Sequence, residues 1–186
     1  SKPLTVKDLS IRLSKRLKKY DKKGEEHYNL ISALHKSIRG SDPDAALYWF
    51  ARILDGGEDP RFIARRLLRM ALEDVGLADP QAQSICLHAW QSFERLGSPE
   101  GELSLAQAAL YLSLAPKSNA SYKGFNLSLD LVKKTGSEPP PKHILNAPTD
   151  LMKDQGYGAG YEYDHDSADG FSGQNYFPEK IDRLSA

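Results

Sequence analysis

An Asp or Ser followed by Pro recurs four times in the middle of this chain, at Asp42-Pro43, Asp59-Pro60, Asp79-Pro80 and Ser98-Pro99, and each copy opens an apolar run that closes near a glycine. The side-chain oxygen can accept an orphan N–H of the first helical turn, while Pro at the first helical position loses nothing by lacking its own N–H. Four helix starts are therefore predicted. The matching stops are Gly40, Gly56 with Gly57, Gly76 and Gly97, where a helix C-terminus favours a left-handed residue. Loops this short make consecutive helices antiparallel neighbours.

The apolar periodicity is helical throughout. Pro43 to Asp55 is predicted to bury Ala46, Leu47, Phe50, Ile53 and Leu54, and the next helix Phe62, Ile63, Leu67, Met70 and Leu72. Upstream, Thr5 with Asp8 resembles a capping box before the narrow stripe Val6, Leu9, Leu13, Leu17 and Tyr20. A helix from about Glu25 to Arg39 is predicted to bury Tyr28, Ile31, Leu34 and Ile38. Downstream, an Ala- and Leu-rich helix from Leu103 stops before Pro116, and Ser118 can cap a last long helix ending at Gly136. Pro139, Pro140 and Pro141 end any helix and impose an extended linker. The arm beyond them holds Tyr157, Tyr161, Tyr163, Phe171, Tyr176 and Phe177, too aromatic for a free tail, and is expected to dock through those rings. The fold class is all-α, with domains at 1–23 (basic helix), 24–137 (helical body) and 138–186 (linker and aromatic arm).

Composition excludes several classes of function. With 186 residues and 40% hydrophobic content the chain can fill one core. Its apolar runs fall far short of the roughly 20 residues that cross a bilayer. Cys86, the single cysteine, stands between Ile85 and Leu87 and reads as a buried structural thiol. Ser1 and the basic opening segment suggest a piece of a longer polypeptide. Residues 1–23 carry nine Lys or Arg against Asp8 and Asp21, a net of +7, whereas residues 150–186 carry a net of −5.

Catalytic signatures are absent from the sequence. There is no G-x-x-x-x-G-K-[ST] phosphate loop, and the glycines from Gly156 to Gly160 follow no strand and open no helix, so they read as a turn. Asp164-His165-Asp166 offers metal-type ligands, but adjacent residues rarely aim at one ion. His27, His35, His88 and His143 lack the i, i+4 partner of a helical zinc pair. No catalytic, cofactor or metal residue is assigned. The best local candidate is the basic helix, whose Lys15, Arg16, Lys18 and Lys19 can neutralise DNA phosphates.

Four stretches carry a resemblance: Tyr20 to Trp49 (YDKKGEEHYNLISALHKSIRGSDPDAALYW), Glu73 to Pro80 (EDVGLADP), Ala115 to Ala120 (APKSNA) and Asn146 to Thr149 (NAPT). The chain resembles the C-terminal half of the bacterial replication-associated recombination protein A family, relatives of the Werner-helicase-interacting ATPase. The resemblance implies a parent AAA+ ATPase akin to clamp loaders, acting at stalled replication forks, with ATP and Mg²⁺ bound upstream of this piece and neither bound within it. It implies that residues 1 to about 20 end the AAA+ lid. The helical region would be an array of antiparallel hairpins, of clamp-loader type, that holds subunits together as a homotetramer. The expected partners are therefore a second copy of the chain, its own AAA+ module, DNA and fork proteins, in a nucleoid-associated cytoplasmic setting. Tyr48, Trp49, Phe50, Phe62, Trp90 and Phe93 exceed what one small core needs and are the candidate subunit-interface residues.

Overall fold

Two of the four expected starts form as the dipeptides dictate, and a third forms one residue late, with Pro80 just before the helix. In the computed structural model, which describes residues 27–183, Asp42 accepts the Ala45 N–H at 2.9 Å and Asp59 the Arg61 N–H at 2.9 Å. These caps open α2 (Pro43–Asp55) and α3 (Pro60–Met70), and α1, covering residues 27–39, precedes them. Asp79 accepts the Gln81 N–H at 3.1 Å at the head of α4 (Gln81–Leu96). Ser98-Pro99 opens no helix. Residues 98–101 form a turn closed by the Gly101 N–H on Gly97 O at 2.6 Å, and α5 (Glu102–Leu114) begins after it. A Cβ on Gly101 would lie 2.8 Å from Phe93, so the chain must lie flat on that ring before it can coil. Ser118 caps the Ala120 N–H of α6 (Ala120–Thr135) at 3.4 Å, and Thr149 caps Met152 in α7 (Asp150–Asp154) at 3.3 Å. Every regular element among the described residues is helical.

The chain divides into two compact units, the first ending at Tyr122 and the second beginning at Lys123, inside α6. In the first, α5 is the hub: α2, α3 and α4 each pack against it, and α3 also packs on α4. Its Leu105, Ala108, Ala109 and Leu112 are fully buried, the alanines allowing close approach. Around them stand Ile31, Leu34 and Ile38 of α1, Ala46, Phe50 and Ile53 of α2, Ile63, Leu67 and Met70 of α3, and Cys86 and Phe93 of α4. Each large aliphatic side chain so placed contributes about 1.5–3 kcal/mol. Burial pushes the Cys86 thiol up to about 12, the state of a packing group. Although consecutive, α2 and α3 pack mainly through α5 and not as direct neighbours.

Two core assignments change. Tyr28 is 73% exposed and Leu72 is 47% exposed. Leu72 stands half a turn from Ile63 around α3, and Tyr28 lies at the edge of the stripe formed by Ile31, Leu34 and Ile38. Past Met70 the helix widens into a π turn (Ala71–Val75) and then tightens into a 3₁₀ turn (Gly76–Ala78). At Gly40 the left-handed residue is its neighbour Ser41, with φ 58°.

Gly76 has φ 53°, and a Cβ there would sit 2.9 Å from the carbonyl oxygen of Ser118. Both the backbone angle and the neighbour exclude a side chain. Gly76→Ala is expected to lower the urea midpoint, with a loss of about 1–3 kcal/mol. An unchanged midpoint would show that this turn adapts.

The second unit is more polar. Phe177, Pro178 and Ile181 face Leu131, Val132 and Thr135 of α6 across a cavity of about 260 Å³. Of the six rings expected to dock, only Tyr157 and Phe177 are half-buried, and Tyr161, Tyr163, Phe171 and Tyr176 stay exposed. Polar pairs hold this segment instead: Asp164 accepts the Ser172 N–H at 2.8 Å, the Ser172 hydroxyl at 2.6 Å and the Tyr176 hydroxyl at 2.9 Å.

Candidate functional site

Glu73 and Asp74 follow the C-terminus of α3, where the helix dipole disfavours negative charge. Asp74 is nevertheless 5% exposed, the one buried acidic side chain among the described residues. Such a carboxylate must be paired. His35 Nε2 lies 2.6 Å from Asp74 Oδ2, and Arg39 donates from Nε to Oδ1 at 2.5 Å. Arg39 also reaches Glu73 at 3.4 Å, and Arg69 donates to the other Glu73 oxygen at 2.8 Å. The backbone carbonyl of Asp74 accepts the Ser118 N–H at 2.8 Å. Lys117 donates to Ser113 O at 3.1 Å and Ala115 O at 2.5 Å, closing the last turn of α5. The Arg39 pKa is raised, chiefly by its hydrogen bond to Asp74 with burial opposing, whereas burial lowers that of Lys117 against the pull of Asp74.

This junction gathers residues from three stretches of the resemblance: His35 and Arg39, then Glu73, Asp74 and Gly76, then Lys117 and Ser118. The fourth stretch does local work, supplying the Thr149 cap of α7. Ligand atoms of His35, Glu73 and Asp74 lie within 4.8 Å of one another, a donor set of the kind that holds a cation. Here Arg39 already bridges both carboxylates and Arg69 takes the second oxygen of Glu73. The arrangement is an ion-pair lock joining α1, the end of α3 and the root of α6.

The candidate interface side chains separate sharply. Phe50 is 4% exposed and Phe93 is 3% exposed, so both belong to the core of the unit and are withdrawn from the interface. Each lies at the i, i+3 or i+4 positions of its helix that face α5, which composition alone does not reveal. Phe62, Trp49 and Trp90 are partly buried against the core. The Trp90 indole donates to Glu94 at 3.1 Å. Tyr48 alone is mostly exposed, edge-on to Trp49 with ring centroids 5.0 Å apart. Lys15, Arg16, Lys18 and Lys19 lie outside the described residues. Asp164 is held below the ordinary carboxylate range, first by the Ser172 hydroxyl, then by the Ser172 N–H and the Tyr176 hydroxyl; it organises its own loop.

Sequence reasoning missed the outward leucines. Leu77, Leu103 and Leu114 are 78%, 76% and 72% exposed. Leu103 and Leu114 are eleven residues apart, three helical turns, and so share one outer face of α5. Only Gln107 interrupts the apolar residues of that face, so periodicity distinguishes it poorly from the core face. None of the described helices is long and apolar enough to cross a membrane.

Comparison with known proteins agrees with this all-helical architecture. Residues 1–39 match the family described as AAA C-terminal domain, and residues 40–185 match MgsA AAA+ ATPase C terminal. Replication-associated recombination protein A of Coxiella burnetii is 56% identical over 170 residues, covering 91% of this chain and 39% of that protein. The protein of the same name from Escherichia coli K12 is 52% identical over 164 residues, 88% of this chain and 37% of the relative. ATPase WRNIP1 of Dictyostelium discoideum is 44% identical over 179 residues, 96% of this chain and 20% of the relative. The chain thus spans less than two-fifths of each of these relatives. With the greater part of its length matched by one family and its nearly full length by these proteins, the chain belongs to the MgsA AAA+ ATPase C-terminal family.

Proposed function

We propose that this chain is the assembly module of an AAA+ ATPase acting in DNA replication and recombination at stalled forks, joining its subunits as a homotetramer. In this reading ATP and Mg²⁺ bind in a module outside the chain, and the chain itself turns over no nucleotide. Its setting would be the nucleoid-associated cytoplasm, with fork proteins and DNA as further partners. The observation that carries the proposal is α5. Large apolar side chains sharing one exposed helix face mark a contact surface, and the outer face of α5 exposes Leu103 and Leu114 on either side of Gln107. A second copy of the chain would cover that face in the way α2, α3 and α4 cover the inner one.

Sedimentation equilibrium tests this directly. The chain is expected to behave as a tetramer at tens of micromolar, and the double substitution Leu103→Asp with Leu114→Asp to release monomers of unchanged helix content. A wild-type monomer at high micromolar concentration would overturn the proposal.

A further inference from the structure

The outer face of α3 carries a row of guanidinium groups interleaved with aromatic rings. Arg61, Arg65 and Arg69 recur every four residues and are exposed, which sets them about 6 Å apart in a row about 12 Å long. Aromatic rings lie between and beside them. The Arg65 guanidinium stands 5.4 Å from the Phe62 ring centroid, and His27 meets Phe62 at a tilt with ring centroids 4.7 Å apart. Tyr28 meets His27 edge-on at 5.6 Å, and Arg69 lies 5.4 Å over the ring of Tyr122. All of these residues belong to the first unit.

The carboxylates along the row fix guanidinium planes without exhausting their donors. Glu94 takes Arg61 Nε at 2.8 Å and Nη2 at 3.2 Å, and Glu73 takes only Nε of Arg69. Asp59 lies beside Arg61, and Glu58 pairs with His27 at 2.6 Å. Arg65 has no carboxylate partner among the described residues. Each guanidinium carries five N–H groups, so Arg65 and Arg69, both exposed, retain donors.

We propose that this face of α3, with Tyr28 and Tyr122 at its ends, binds single-stranded nucleic acid. The guanidinium row would follow the phosphates while Tyr28 and Tyr122 offer stacking surfaces to bases, the two components such sites combine. An acidic peptide would satisfy the charge but bring no flat faces to the exposed rings, which favours the strand. Its residues are distinct in the sequence from the basic segment at residues 1–23, and it is independent of the assembly reading.

The test is a fluorescence-anisotropy titration of the full chain with a labelled oligothymidylate at about 50 and 200 mM salt. About two phosphate contacts, from Arg65 and Arg69, predict a salt slope of about −1.4, shallower than a cluster of six lysines and arginines would give. Arg65→Glu is expected to weaken binding about tenfold and Tyr28→Ala at least about fivefold, with sedimentation and melting unchanged because both side chains are exposed. Arg65→Lys should recover part of the loss. Three results would overturn the proposal. They are no binding by the wild-type chain, binding by both variants equal to wild type while replacing Lys15, Arg16, Lys18 and Lys19 abolishes it, and competition by polyglutamate equal to that by unlabelled strand. Sedimentation of the same samples reads assembly separately, so a monomer that still binds the strand refutes assembly alone.

Discussion

Asp74→Ala is expected to lower the unfolding free energy of the first unit by about 3 kcal/mol, the cost of breaking a buried, hydrogen-bonded ion pair from one side. The substitution leaves Arg39 and Glu73 only 3.4 Å apart but strips His35 and the Arg39 Nε of their shared acceptor. It also removes the acidic side chain from the turn whose carbonyl receives the Ser118 N–H. Urea unfolding followed by far-UV circular dichroism measures the loss. Asp74→Asn keeps an acceptor of the same shape and should cost less. A double-mutant cycle with Arg39→Ala should return a coupling of about 1–3 kcal/mol. Were Asp74→Ala to cost under about 0.5 kcal/mol, the junction would be energetically equivalent to an exposed surface pair.

Phe93→Ala is expected to cost about 3–5 kcal/mol, as for other buried phenylalanines. The ring is 3% exposed, supports the flat approach of Gly101 and lies under the Arg61 guanidinium at 5.6 Å. Removing it opens a void beneath the turn that starts α5. Tyr48→Ala, by contrast, should change the stability of the dilute protein by no more than about 0.5 kcal/mol. Thermal melts of the two variants in parallel distinguish a core aromatic from a surface one. Equal melts would mean that the sorting of Phe93 from Tyr48 is mistaken.

What could be read in advance was local. Asp42, Asp59 and Asp79 cap helices because their partners are two or three residues away, and Ser118 and Gly136 bracket α6 for the same reason. Ser98-Pro99 is the same kind of signal yet starts nothing, because contact with Phe93 decides where the chain can coil. The lock around Asp74 was out of reach, since its partners His35 and Arg39 lie 39 and 35 positions away. Periodicity also treats every apolar residue as a core candidate. It cannot tell Leu112, fully buried, from Leu114 two positions on, because the outer face of α5 is largely apolar too. The arginines of α3 were legible as charge, but their alternation with Phe62 and Tyr122 depends on helices meeting in space.

Because α5 is the common neighbour of α2, α3 and α4, each of those three leaves part of its apolar stripe uncovered until a helix that begins at residue 102 has been made. During synthesis the earlier helices must wait with their stripes uncovered. Melting runs the same dependence backwards: once α5 leaves, three stripes meet water together. This unit therefore has no half-folded form worth populating, and it should come apart in a single cooperative step.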